Sequence, residues 1–208
     1  GETYIATDVT TDANVWTNIG DGTGNVAPAT WYGDRGVWAG GYDGIDTIDY
    51  ISLASAGDGA DFGNLTQGRS RFSGLAGGGR GVFCGGDRHY NTARDEMDYV
   101  TISTTGDATD FGDMTVARGS NASLSSGTRG VTSGGESGSN VVQDVNDYIT
   151  IASTGDSTDF GDMSVARWYH AGCANATRGL FGGGHTGSTS DVIDYITIAS
   201  TGDAADFS

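Results

Sequence analysis

The chain has 208 residues, a formal net charge of −17 and ten basic residues, all of them arginine. Nucleic-acid binding needs cations along one face, whereas seven of the ten arginines occupy fixed positions of an internal repeat, so neither nucleic acid nor an anionic membrane surface is predicted as a partner. Helix patterns are nearly absent from a chain with 37 glycines, and no apolar run approaches the roughly 20 residues of a membrane span.

The first element is a degenerate copy of a unit that recurs along the chain. Tyr4 is followed 12 residues later by Trp16, and four later tyrosines are each followed by a phenylalanine at the same spacing. These pairs are Tyr50 and Phe62, Tyr99 and Phe111, Tyr148 and Phe160, and Tyr195 and Phe207. We therefore predict a degenerate half-unit or attachment strand over residues 1–27, followed by full units.

A glycine-rich segment precedes each of the four later tyrosines and predicts a short strand. The segments read RGVWAGG, RGVFCGG, RGVTSGG and RGLFGGG and begin at residues 35, 80, 129 and 178. Their terminal glycines allow another backbone to approach closely. A further arginine at position 69, 118 or 167 always lies 11 residues before the next such segment. Three markers in common register, with a period of about 49 residues, establish an internal repeat.

The segments after each glycine-rich strand predict the rest of the unit. In DYITIAS (147–153), Ile149 and Ile151 point to one face of a strand, and neither face is strongly polar, which predicts a sheet covered on both sides. The stretch STGDSTDFGD (153–162) carries turn residues. FGDMSVAR (160–167) and WYHAGCANA (168–176) predict two further strands. Each unit is therefore expected to contain about four strands.

The repeat predicts an all-β fold, because four-stranded units that cannot bury both faces alone must stack on one another. We expect a β-propeller with four blades at residues 28–69, 70–118, 119–167 and 168–208 and an N-terminal half-blade. Another repeat architecture, a β-prism or a β-solenoid, is the alternative, although a period near 49 is long for a solenoid turn.

The glycine doublet that ends a strand and is followed by a tyrosine and then an aromatic residue resembles the kelch repeat. The resemblance extends from about Ala29 to Phe207 and implies a kelch-like β-propeller. Kelch repeats usually place a tryptophan closer to the tyrosine, whereas here a phenylalanine follows at 12 residues. The difference predicts a longer connection that carries the GDATDFGD stretch.

The surplus half-unit at the start has three explanations, which the sequence leaves open. The chain is a fragment of a longer array, the half-unit pairs with another subunit, or it serves as an attachment strand, since unpaired strand edges invite pairing. The second explanation makes the protein part of an oligomer.

The connectors after the glycine doublets differ between repeats and are the predicted ligand-binding loops, because loops on a rigid scaffold carry function. Aromatic rings with Asp, Asn and Arg around them suit sugars, whose CH faces stack on rings and whose hydroxyls form hydrogen bonds. The candidate ligand-binding residues are Tyr42, Arg88, His89, Tyr90 and His185. An ordinary solvated loop is the alternative at each position.

Closely spaced carboxylates in the longer connection are a candidate calcium site, because calcium takes oxygen ligands. The candidate ligands are Asp107, Asp110 and Asp113 and their equivalents Asp156, Asp159 and Asp162. Their spacing of three differs from that of an EF-hand. The alternative is that these aspartates accept hydrogen bonds from backbone N–H groups or from a repeat arginine.

Catalytic chemistry is not expected, and the sequence leaves open whether the two cysteines form a disulfide. The three histidines lack metal-ligand spacing, and no GxSxG motif occurs, so the sequence does not predict an enzyme. Tyr169 and His170 are expected to pack within a strand. Cys84 and Cys173 occupy non-equivalent repeat positions and are predicted to be small buried residues, not a disulfide framework.

The wording DYVTISTTGDATDFGDMTVAR (98–118), together with RGVFCGG, resembles repeats in tail-fibre and other virion proteins of bacteriophages. This resemblance covers all full repeats. It implies a structural component of the virion surface, located on a tail, a fibre or the capsid, with other virion proteins and a host glycan or receptor as partners. A non-viral carbohydrate-binding or protein-interaction propeller is the alternative.

Overall fold

The computed structural model describes the backbone of residues 4–8 and 15–18, together with residues 35–88, 92–138 and 141–207. Its regular secondary structure in these ranges consists of antiparallel β-sheets, so the predicted all-β class is confirmed. The part of the chain so described contains no helix long and apolar enough to cross a membrane. The chain divides into two compact units, Gly1–Asp34 and Arg35–Ser208.

The first unit contains a β-hairpin at the place of the degenerate repeat. Strand β1 (Tyr4–Asp8) pairs antiparallel with β2 (Val15–Asn18). Tyr4 lies opposite Asn18, and the register shifts between Ala6 and Asp8.

The second unit consists of four sheets, each formed by strands that follow one another in the chain. Sheet I contains β3 (Arg35–Gly41), β4 (Ile45–Ser52) and β5 (Ala60–Asn64). Sheet II contains β6 (Ser73–Gly77), β7 (Arg80–Asp87), β8 (Ala93–Thr101) and β9 (Thr109–Asp113). Sheet III contains β10 (Ala122–Ser125), β11 (Arg129–Ser137), β12 (Val141–Thr150) and β13 (Thr158–Asp162). Sheet IV contains β14 (Ala171–Ala174), β15 (Arg178–Gly182), β16 (Ile193–Thr197) and β17 (Ala205–Asp206).

The sheets of the second unit contact one another in chain order, and the described residues form no closed ring of sheets. Sheet I has three described strands where the others have four. The segment that would correspond to its first strand precedes residue 35 and lies outside the described residues.

Strand boundaries differ from the prediction, most clearly at the last strand of sheet III, while the predicted strand 168–176 is shortened to Ala171–Ala174. The last strand of sheet III is Thr158–Asp162, so it begins before FGDMSVAR and ends within it, and residues 163–167 form a connection instead. The reason is that this connection binds the following sheet: Ser164 donates from its N–H and its hydroxyl to Asp194, at 3.2 and 2.5 Å. The Ser164 N–H is therefore not available to β12, whereas Met163 and Arg167 still donate to the Asp144 and Gln143 carbonyls of β12, at 2.8 and 3.3 Å.

Each sheet repeats one stack of side chains, which explains the constant tyrosine-to-phenylalanine spacing. In sheet II the Arg80 guanidinium carbon lies 4.5 Å from the centre of the Tyr99 ring, and Tyr99 meets Phe111 edge to face at 5.9 Å. The three residues come from β7, β8 and β9, so the stack ties three strands together by cation–π and aromatic contacts. The same stacks are Arg35–Tyr50–Phe62, Arg129–Tyr148–Phe160 and Arg178–Tyr195–Phe207.

A buried ion pair joins each connection to the sheet that follows. Arg118 lies in the connection from sheet II to sheet III and donates to Asp147 of β12 at 2.9 Å, with both side chains almost fully buried. The same carboxylate accepts from the Thr115 hydroxyl at 2.6 Å and from the Thr115 N–H at 3.2 Å. Arg118 also donates to the Thr132 carbonyl at 3.2 Å. The equivalent pairs are Arg69 with Asp98 and Arg167 with Asp194.

The glycine doublet near the end of β7 allows the carbonyl group of the same arginine, Arg118, to approach sheet II, which precedes the connection. Gly85 has a φ of 68°, and a Cβ there would lie 2.5 Å from the Arg118 carbonyl oxygen. Gly86 donates to that oxygen at 3.0 Å. Only glycine combines this backbone conformation with such a close approach, so the doublet and the closing arginine are two halves of one contact.

The two cysteines lie in different surroundings. Cys84 is buried as predicted, and burial raises the pKa of its thiol to about 11, which leaves it unreactive. Cys173 is exposed, so its predicted burial is wrong. It lies at the position of Leu75 and Leu124, which are buried against the following sheet at Gly130 and Gly179. No following sheet covers Cys173 among the described residues.

We expect Arg118→Met to lower the free energy of unfolding by about 3–5 kcal/mol, because it leaves the Asp147 carboxylate buried without its cation. The matched control is Arg94→Met, which removes an ion pair with Glu96 at 3.4 Å. Both side chains of that pair are about 30% exposed, so this substitution should lower the free energy of unfolding by less than about 1 kcal/mol. Denaturant unfolding of both variants measures the difference. Equal losses would contradict the assignment.

Candidate functional site

Side chains that differ between repeats share equivalent backbone positions. Arg71, Ser120 and Tyr169 each lie two residues after a closing arginine, and all three have a left-handed backbone, with φ of 59°, 56° and 55°. The Ser120 N–H donates to the Arg71 carbonyl at 2.6 Å, and the Tyr169 N–H donates to the Ser120 carbonyl at 3.0 Å. A constant backbone therefore places these variable side chains next to one another.

The residue after each glycine doublet varies in the same way. These residues are Tyr42, Asp87, Glu136 and His185. The last three form β-bridges with residues that directly precede the variable positions: Ser70 with Asp87, Gly119 with Glu136, and Trp168 with His185. We call the resulting surface the variable face and define it as Arg71, Asp87, Ser120, Glu136, Trp168, Tyr169 and His185.

Arg71 is the centre of the variable face. Its guanidinium contacts Asp87 and Glu136, at 2.9 Å in each case, and its Nε donates to the Ser120 hydroxyl at 2.8 Å. Burial opposes the charge of Arg71, but the carboxylates of Asp87 and Glu136 raise the pKa of its guanidinium. Burial raises the pKa of Asp87, and the charge of Arg71 opposes that rise. Three partners hold the guanidinium in one orientation.

Two aromatic rings extend the variable face beside this cation. Trp168 and Tyr169 stack with their ring centres 4.5 Å apart and their planes 28° apart, and the Trp168 ring meets His185 edge to face at 5.5 Å. The Arg71 guanidinium carbon lies 5.4 Å from the centre of the Tyr169 ring. Tyr169 remains 59% exposed, so the predicted packing role in a strand is wrong for this residue, which precedes β14.

A cleft of about 430 Å³ opens beside Arg71, where sheets I and II meet. Its walls come from the turn after β3, from the connection between the two sheets and from the end of β7. The main lining side chains are Tyr42, Asp43, Arg71, Phe72, Asp87 and Arg88. Two aromatic rings and two positive and two negative groups therefore surround one concave surface.

The structure brings some of the predicted binding residues together. Tyr42 and Arg88 both line the cleft. His185 lies instead against Trp168, and His89 and Tyr90 lie outside the described residues. Arg71 and Phe72 also line the cleft but were not predicted from the sequence, because both belong to the connection and not to the variable loops. A usable signal existed, since Arg71 and Arg88 are two of the three arginines outside the fixed repeat positions.

Four of the six aspartates proposed as calcium ligands accept hydrogen bonds from backbone N–H groups. Asp156 accepts from the Asp113 N–H of the preceding sheet at 3.1 Å, and Asp107 accepts from the Asn64 N–H at 2.9 Å. Asp110 and Asp159 accept from the glycine two residues later. Partial burial, and then nearby carboxylates, raise the pKa values of Asp113 and Asp162. These contacts match the hydrogen-bonding alternative.

No group of three or more His, Cys, Asp or Glu side chains within the described ranges is placed to hold a metal ion. Calcium binding stays a prediction. The Asp156 contact lies beside a close backbone pairing in which Gly155 donates to the Phe111 carbonyl at 2.6 Å. The recurring aspartates therefore have a role in joining neighbouring sheets.

We expect Asp156→Ala to lower the free energy of unfolding by about 1 kcal/mol, the ordinary contribution of one hydrogen bond. The Tm of the parent protein should be the same with calcium as with a chelator, and the lower Tm of the variant should also be the same under both conditions. A calcium-dependent rise in the Tm of the parent protein that the variant lacks would establish a metal site instead.

His170 lies in a buried polar region near β11. Its Cε1 is 2.8 Å from the position that a Cβ on Gly134 would occupy. Ser133 and Asn146 lie opposite each other in β11 and β12, where sheet II has Cys84 and Met97. The Ser133 hydroxyl, both amide atoms of Asn146 and both ring nitrogens of His170 have no hydrogen-bond partner among the described residues. Burial, and then the charge of Arg167, lower the pKa of His170 to about 4.

This shift makes stability depend on pH. The unfolded chain protonates His170 below about pH 6.5, whereas the folded chain does so only below about pH 4. The contribution of neutral His170 is therefore complete above pH 6.5 and is lost as the pH falls to 4, which amounts to at most about 3 kcal/mol of unfolding free energy.

We expect His170→Asn to remove this part of the pH dependence. Asparagine occupies the equivalent position 121, where its amide donates to the Cys84 carbonyl at 3.2 Å. The parent protein, measured over the same pH range, is the comparison. Denaturant unfolding at several pH values between 7 and 4 measures the slopes, and a slope unchanged in His170→Asn would contradict the assignment.

No protein-family model and no curated protein matches this chain.

Proposed function

We propose that this protein is a bacteriophage virion surface component that binds a host glycan in the cleft beside Arg71. The observation that carries the proposal is the convergence of side chains that differ between otherwise constant repeats. A repeat needs its shared residues for folding, whereas the residues that depart from it are available for recognition. Tyr42, Arg71, Phe72 and Arg88 depart from the repeat and line the cleft.

The chemistry of the cleft suits a neutral sugar. Tyr42 and Phe72 offer ring surfaces for the CH face of a pyranose, and Asp43 and Arg88 offer an acceptor and donors for its hydroxyls. The positive charges of Arg71 and Arg88 are balanced by Asp43 and Asp87, so the cleft does not favour a strongly charged ligand. Its volume of about 430 Å³ falls within the ordinary range of about 300–1,000 Å³ for small-molecule sites.

The cleft is preorganised for binding. Arg71 is already held by Asp87, Glu136 and Ser120, so a ligand that hydrogen-bonds to its remaining surface need not immobilise a free arginine. Reduced ordering cost on association increases affinity. The protein is proposed as a binding protein and not as an enzyme.

A kelch-like propeller is the proposed scaffold. The first strands of neighbouring sheets lie side by side: the Ser73 and Ser123 hydroxyls are 2.5 Å apart, and the Ser125 hydroxyl donates to the Ala76 carbonyl at 2.6 Å. β14 follows in the same way, since a Cβ on Gly172 would lie 3.0 Å from the Ser123 carbonyl oxygen. Meander sheets whose first strands meet are the arrangement of blades around a propeller axis.

The placement on a virion depends on the resemblance of the repeated wording to phage tail-fibre and virion proteins. Under this proposal, other virion proteins are partners of this chain, and the chain lies on the outside of the particle. The non-viral alternative keeps the same cleft and ligand class, and the location of the protein in purified particles would separate the two.

We expect Tyr42→Ala to weaken binding of a neutral glycan about tenfold, because stacking residues at the centre of a binding site commonly contribute more than about 1 kcal/mol. A glycan array followed by calorimetry with the best ligand measures the change. Val141→Ala is the matched control, since Val141 is 53% exposed and does not line the cleft. Equal affinities for both variants, or the absence of any glycan ligand, would contradict the proposal.

A further inference from the structure

The interfaces between consecutive sheets share one pattern of contacts. One side of each sheet carries an arginine donor, and the other side carries the carbonyl that accepts from the arginine of the preceding sheet. The arginine that opens β7 donates to a carbonyl of the following sheet: Arg80 reaches the Ile151 carbonyl at 3.0 Å. The equivalent bonds join Arg35 to Ile102 and Arg129 to Ile198, at 3.1 and 2.8 Å. Each acceptor residue is itself buried by the preceding sheet, with an exposed fraction of 9% or less.

Sheet IV carries the arginine donor of this pattern, but no described sheet follows it to supply the acceptor. Arg178 is the fourth arginine of the series, and the described residues contain no following sheet with a carbonyl for it. Phe207 is 49% exposed, whereas its equivalents Phe62, Phe111 and Phe160 are 2% exposed. Cys173 is exposed where two leucines are buried. We call the surface formed by Cys173, Arg178 and Phe207 the trailing face.

Sheet I presents the complementary half. Leu53 is 67% exposed, whereas its equivalents Ile102, Ile151 and Ile198 are covered by a preceding sheet. Trp38 is 56% exposed, and its equivalents Phe83 and Phe181 are buried. The Leu53 carbonyl also corresponds to the three carbonyls that accept from the arginines. We call the surface formed by Trp38 and Leu53 the leading face.

We propose that the trailing face of one copy of this protein docks on the leading face of a second copy, with Arg178 donating to the Leu53 carbonyl of that copy. The two faces are exposed in the same chain, so they do not cover each other within it. Each carries the half of an interface that the other lacks, and that interface already occurs in the chain between sheets I and II, II and III, and III and IV. Exposed apolar surface of this kind marks an association site.

The proposed contact is heterologous, because different surfaces of the two copies meet. Either face can therefore be blocked without altering the other. Leu53→Asp places a charge on the leading face and leaves the trailing face intact. Cys173→Asp does the reverse. Both positions are exposed, so neither substitution should prevent folding, and circular dichroism and thermal unfolding verify that.

Sedimentation velocity of the full chain over a range of concentrations, with reductant present, tests the proposal. We expect the parent protein to self-associate and each blocked variant alone to associate about tenfold more weakly or not at all. An equimolar mixture of Leu53→Asp and Cys173→Asp should form a one-to-one pair, because one intact interface remains. Val141→Asp, a charge at an exposed apolar residue outside both faces, should associate as the parent does.

Several results would overturn the proposal. A parent protein that stays monomeric at all concentrations shows that the faces do not bind a second copy. Association that persists in both blocked variants, or that only one of them abolishes, shows a different interface. A mixture of the two variants that remains monomeric excludes head-to-tail docking, and a dimer that appears only without reductant shows a disulfide through Cys173.

Discussion

The buried arginine–aspartate pair in each connection is the constraint on which the rest of the molecule depends. Arg118 reaches forward to Asp147 and the Thr132 carbonyl of the next sheet, while its own carbonyl is bound by Gly86 of the sheet behind. One residue therefore fixes both neighbours. Its burial makes the pairing compulsory, since an unpaired charge in that position would be strongly unfavourable. The order and spacing of the sheets follow from this contact repeated along the chain.

The same constraint explains why the backbone after each closing arginine is constant while its side chains vary between repeats. Backbone just after each closing arginine is held in a left-handed conformation and hydrogen-bonded to its equivalent in the next repeat, as at Ser120 and Tyr169. A position whose backbone is held this firmly tolerates different side chains. Arginine, serine and tyrosine occur there in turn, and the cleft and the variable face are formed from these exchanges. The side chains of this surface can thus change while the sheets remain the same.

Several features were predictable from the sequence because they are periodic. The glycine-rich strands, the tyrosine-to-phenylalanine pairs and the all-β class all follow from residues that recur at constant spacing. The positions of Tyr42 and Arg88 stood out in the sequence because their loops break the period, and both residues line the cleft. Arg71 and Phe72 were not, because they lie in a connection that the repeat pattern assigned to a strand. The burial of Cys173 was mispredicted because burial depends on whether another sheet follows.

By itself, the sequence determined the repeating unit, its strands and the residues that the units share, since local propensity and spacing act within one repeat. Only the tertiary structure decided which residues meet across repeats. It pairs Asp147 with Arg118, directs the recurring aspartates to backbone N–H groups of the neighbouring sheet, and brings Arg71 between Asp87 and Glu136. The physical reason is that these contacts join residues far apart in the chain, and their geometry depends on how whole sheets stack, which no local pattern records.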